Sequence, residues 1–102
     1  MNSLGEILKN AREESGLILR KVSAQVDIDQ SLISKFEKDE RKPTKEQIKK
    51  LSQFYGLSEQ KLLIDWHSDK IVNELKYSTD SSEILYAVKE KLSEYKINHN
   101  EK

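Results

Sequence analysis

The chain of 102 residues carries three glycines and one proline. That scarcity of breakers constrains the fold more than any other feature. Sheets need turn residues every few positions, whereas a chain rich in Lys, Glu and Leu with few interruptions favours helices. The sequence predicts an all-α protein. Leu4, Ile7, Leu8 and Ala11 follow the i, i+3, i+4, i+7 spacing of one helix face. Ser3 is placed to cap that first helix and Gly16 to end it. A short second helix, about 19 to 26, buries Leu19, Val22 and Val26, and a third, about 30 to 38, buries Ile33 and Phe36. Thr44 and Gln47 form a capping box for a fourth helix with Ile48, Leu51, Phe54 and Tyr55 inward, and Gly56 stops it. Ser58 caps a fifth helix carrying Leu62 and Leu63.

Beyond residue 65 the pattern changes. Trp66, Ile71, Val72 and Leu75 form an apolar stripe, "STDSS" at 78–82 reads as a polar linker, and Ile84, Leu85, Val88, Leu92 and Tyr95 form a stripe on a final helix at roughly 82–96. The expected organisation is a domain at 1–65, a helical dimerisation element at 66–97, and a disordered tail at 98–102. A core this small gains from self-association, so Trp66, Ile71, Leu75, Ile84, Leu85, Val88, Leu92 and Tyr95 are expected to pair two copies.

Chemistry is excluded more readily than assigned. The chain has no cysteine, hence no disulfide framework and no thiolate metal site. His67 and His99 are too far apart to suggest a zinc motif. Ser58 and Lys61 match S-x-x-K only superficially, because no other catalytic group accompanies them. Trp66 reads as a core or dimer contact in preference to a ligand-pocket aromatic. No enzyme, cofactor or metal is expected. The first residues lack a signal-peptide core and no apolar run reaches membrane-spanning length, so a soluble cytoplasmic protein without membrane contact is expected.

The informative stretch is 23–35. Two short helices joined by a tight turn need a small residue where they cross (Ser23), a residue tolerant of positive φ in the turn (Asp27) and an apolar plug (Ile28), with Asp29 able to cap the next helix. The second of the pair then shows polar side chains at its N-terminal end: Gln30, Ser31, Ser34 and Lys35. These are the properties of a helix-turn-helix whose second helix enters the major groove of DNA.

On the pieces "AREESGL", "VSAQVDIDQSLISKFEKDERKP" and "LSQFYGLS", residues 4 to 63 resemble the lambda-repressor-like, Cro/cI (XRE) family of five-helix DNA-binding domains. The resemblance implies a transcriptional regulator, a repressor, acting as a homodimer on a palindromic double-stranded operator. It implies base contacts from Gln30, Ser31, Ser34 and Lys35, and phosphate contacts from Arg20, Lys21, Lys38, Arg41 and Lys42. It also implies a structural salt bridge between Arg12 and Glu37. The chain departs from the family pattern at Ile18, where a capping Thr or Ser is usual, and at Leu19. Asp27 and Asp39 stand in place of turn glycines, and Asp27, Asp29 and Asp39 each bring a negative charge near the DNA. The alternative from another class is an interaction module, an antitoxin or adaptor, that keeps the fold with weak DNA binding. The sequence identifies no protein partner and no inducer.

The charge balance poses a physical question. Lys and Arg number 18 and Asp and Glu number 18, so the net charge is zero. Binding to a polyanion depends on distribution. Between residues 30 and 50 there are seven basic residues (Lys35, Lys38, Arg41, Lys42, Lys45, Lys49, Lys50) against four acidic ones (Glu37, Asp39, Glu40, Glu46).

Overall fold

In a computed structural model, residues 2–99 are described, and among them there are six α-helices and no strand. They are α1 (Leu4–Glu14), α2 (Leu19–Val26), α3 (Gln30–Glu37), α4 (Lys45–Tyr55), α5 (Glu59–Leu75) and α6 (Ser81–His99). The chain divides into two compact units, one up to Asp69 and one from Lys70 onward.

The first unit closes on one core: Leu4 and Leu8 from α1, Val22 and Val26 from α2, Ile28 from the turn, Ile33 and Phe36 from α3, Ile48 and Leu51 from α4, and Leu62 from α5. Each such side chain stabilises the fold by about 1.5–3 kcal/mol relative to exposure. α1 packs on α3 and α4, and α2 packs on the same two helices.

The helix boundaries follow from local chemistry. The Ser3 side chain accepts from the Glu6 amide while the Glu6 carboxylate accepts from the Ser3 amide, and Thr44 and Gln47 repeat the arrangement at α4. Ser58 Oγ accepts from the Lys61 amide at the start of α5. Gly16 and Gly56, both at φ 70°, take the left-handed backbone that ends α1 and α4 at no steric cost.

The fifth helix and the Trp66 stripe are one continuous helix, α5, because no Gly or Pro lies between Glu59 and Leu75 to interrupt it. The division between the two compact units falls within α5, between Asp69 and Lys70. The tail expected from residue 98 is helical through His99, and residues 100–102 lie outside the described residues.

In the second unit none of the residues of α6 is buried. Ile84, Leu85, Val88, Leu92 and Tyr95 are 37–51% exposed, and Ile71 on the last part of α5 is 43% exposed. Leu75 is half-buried. Leu85, Val88 and Leu92 line a shallow groove with Lys89, Ser93 and Lys96.

Candidate nucleic-acid interface

The turn that joins α2 to α3 has the geometry its residues dictate. Asp27 adopts φ 56° and ψ 47° and donates its amide to the Ser23 carbonyl. Ile28 is buried beneath it. Ser23 does more than stay small: its hydroxyl donates to the Ile28 carbonyl at 2.6 Å and pins the turn against α2.

α3 is held by its C-terminal end. Arg12 on α1 grips Glu37 through two parallel charge-assisted bonds, Nε to Oε2 at 2.7 Å and Nη2 to Oε1 at 2.9 Å, and its third nitrogen donates to the Leu17 carbonyl at 3.0 Å. The two side chains are 15% and 6% exposed. The hydrogen bond to Glu37 raises the Arg12 pKa above its ordinary value, so the guanidinium is always charged. Tyr55 lies beside the pair. Burial, and then the Glu37 charge, push its phenol up to about 12.

A second tie clamps the same end of α3. A Cβ added to Gly5 would lie 2.4 Å from the Phe36 carbonyl oxygen and 2.8 Å from that of Glu37, so α1 approaches this closely only because position 5 is glycine. Asp39, at φ 58°, turns its carboxylate back onto the start of α1. Oδ1 accepts from the Gly5 amide at 2.9 Å and Oδ2 accepts from the Ser3 hydroxyl at 2.6 Å. A carboxylate at this position also complements the positive end of the α1 dipole. Sequence reasoning placed Asp39 as a charge near DNA and missed this role, because the link from 39 to 3 and 5 spans more than thirty residues. The signal available was Gly5 itself, a helix-weakening residue inside the first apolar stripe.

Anchored at Phe36–Asp39, α3 leaves its N-terminal end at the surface. Gln30, Ser31 and Lys35 are exposed and Ser34 is half-buried. Asp29 occupies the N-cap position, but its side chain does not cap the backbone. The Ser31 hydroxyl, two residues on, donates to its carboxylate instead. The Asp29 backbone carbonyl accepts from Leu32 and Ile33. Gln30 faces an open depression of about 500 Å³ lined also by Arg12, Ile18, Leu19 and Arg20. Ile18 precedes α2 without a side-chain cap.

Arg20 and Lys21 in the first turn of α2, Lys38 at the C-cap of α3 and Arg41 in the loop after it are exposed. Lys42 is exposed but engaged: its ammonium donates to the Trp66 carbonyl at 2.6 Å and lies 4.4 Å from the centroid of the Trp66 ring. Trp66 is half-buried against the core of the first unit. His67 makes an edge contact with the Trp66 ring, and His99 stacks on Tyr95. Among the described residues no group of three metal-ligating side chains gathers, and no helix is long and apolar enough to cross a membrane.

Residues 5–64, more than half of the chain, match the family described as helix-turn-helix domain. The chain belongs to the helix-turn-helix domain family. Membership supports a DNA-binding regulator with DNA as its partner. No curated protein and no solved structure matches the chain. Two of the acidic side chains between residues 30 and 50 are engaged within the first unit. Glu37 is paired with Arg12, and Asp39 is turned onto α1. Of the four acidic residues between 30 and 50, Glu40 and Glu46 are the two not occupied in these ties.

Proposed function

We propose that the protein is a sequence-specific, double-stranded-DNA-binding transcriptional repressor of the lambda-repressor-like (XRE) kind, a cytoplasmic homodimer on a palindromic operator. The observation that carries the reading is the anchoring of α3 by its C-terminal end, which leaves Gln30, Ser31, Ser34 and Lys35 at the surface on a rigid helix start. Gln pairs bidentately with adenine, Lys reaches guanine, and Ser serves either. Arg20, Lys21, Lys38 and Arg41 are assigned to phosphates, which fix register and carry no sequence information.

The apolar stripe of Ile84, Leu85, Val88, Leu92 and Tyr95 supports self-association. In a dimer the two reading helices meet one face of the duplex when half-sites lie about 34 Å apart or a multiple of that. Occupancy of such a site excludes other proteins from it, which is repression.

The test is selection of duplexes from a random pool, followed by binding titrations over a range of salt. Gln30→Ala and Lys35→Ala should each weaken the selected site by about 1–3 kcal/mol and relax base preference. Arg41→Ala should weaken all duplexes alike and reduce the salt slope by about one phosphate. An antitoxin or adaptor that kept the fold without reading DNA would enrich no site.

A further inference from the structure

We propose that Trp66 is a positioning residue for duplex DNA, holding the loop between α3 and α4 in the shape that presents Arg41 to a phosphate. The proposal rests on the DNA-binding reading above. Four contacts run from Trp66 to two residues of that loop and the first residue of α4. The indole N–H donates to the Pro43 carbonyl at 2.7 Å. The Trp66 backbone carbonyl accepts from the Lys42 ammonium at 2.6 Å. The ring carries Lys42 Nζ at 4.4 Å from its centroid and Lys45 Nζ at 5.6 Å. Pro43, between them, is buried.

A tryptophan serving the core alone needs apolar neighbours and one acceptor for its N–H. Here the N–H, the backbone carbonyl and the ring face converge on Lys42, Pro43 and Lys45. The residues they fix directly follow Arg41, in a stretch between α3 and α4 that forms no regular helix. A loop already ordered before binding loses less freedom on contact, so its phosphate bond counts for more. Lys42 then acts as a strut: its ammonium adds to the local positive field while its geometry is fixed by Trp66. Phosphate gripping is thereby tied to α5 and not to α3 alone.

The test uses the full chain, with labelled duplexes selected from a random pool and with random-sequence duplexes, titrated by anisotropy. Trp66→Phe keeps a ring and removes the N–H, and circular dichroism confirms its fold. The expected result is a loss of roughly three- to tenfold in affinity, equal on both kinds of duplex. Arg41→Ala should cost less in the Trp66→Phe background than in the wild type, because the loop it acts from is already loosened. Self-association measured by sedimentation should be unchanged. Wild-type affinity in Trp66→Phe, full additivity with Arg41→Ala, or weakened self-association would each overturn the proposal. If the wild type itself shows no salt-dependent binding to either duplex, the DNA-binding reading fails and this proposal fails with it.

Discussion

Removal of the Glu37 carboxylate tests the anchoring of the reading helix. An exposed ion pair contributes about 0–1 kcal/mol, because water and salt screen it and two long side chains must be ordered. Arg12 and Glu37 are different: their side chains are 15% and 6% exposed, they meet bidentately, and Arg12 also holds the Leu17 carbonyl. Glu37→Ala leaves a guanidinium largely withdrawn from water with one acceptor in place of three. The expected cost is about 3–5 kcal/mol. For a protein of this size the whole stability is on the order of 5–15 kcal/mol. With an m-value of roughly 1–3 kcal/mol/M in urea, the midpoint should fall by at least about 1 M. Trp66 is the one tryptophan of the chain and belongs to the first unit, so its fluorescence follows the unfolding of that unit. Replacing both partners, Arg12→Met with Glu37→Leu, should recover most of the loss, since no charge is then left stranded. A cost below about 1 kcal/mol for Glu37→Ala would show that the pair behaves as a solvated surface bridge and would refute the anchoring argument.

Gly5→Ala should destabilise the first unit by about 1–3 kcal/mol in urea denaturation, because the new Cβ meets the Phe36 carbonyl, even though alanine is the better helix former. Tyr55 should make the fold alkali-sensitive. Its phenol is raised from 10.0 to about 12, so the fold favours the protonated form. That stability is intact below pH 10 and is lost as the pH rises through about 12. Tyr55→Phe should therefore lose less stability than the wild type over that window, read as the difference in urea midpoints. Leu85→Asp combined with Leu92→Asp should convert a dimer to a monomer in sedimentation velocity and leave the urea midpoint reported by Trp66 nearly unchanged. A wild type that sediments as a monomer at micromolar concentration would remove α6 as a dimer surface.

Local signals in the sequence located most of the first unit. The capping pairs Ser3/Glu6 and Thr44/Gln47, the stops at Gly16 and Gly56, and the buried faces of α1 to α4 each follow from residues within one or two turns. Asp27 in the left-handed region and the buried Ile28 are likewise local choices. Contacts between distant segments were not legible in the same way. Asp39 on Gly5 and Ser3, and Trp66 on Pro43, depend on how the helices assemble, and nothing in a spacing rule pairs those positions. The joining of the fifth helix to the Trp66 stripe follows from a local signal, the absence of Gly and Pro between Glu59 and Leu75. Asp29 was misjudged because Ser31, a competing donor two residues on, captures its carboxylate.

The central claim is that the start of α3 meets the duplex, and amide chemical-shift mapping of the full chain tests it most directly. On addition of a duplex selected from a random pool, the largest shifts should fall on Gln30 to Lys35, with smaller ones at Arg20, Lys21 and Arg41. Shifts confined to α6, with Gln30 to Lys35 unmoved at saturating duplex, would contradict the account.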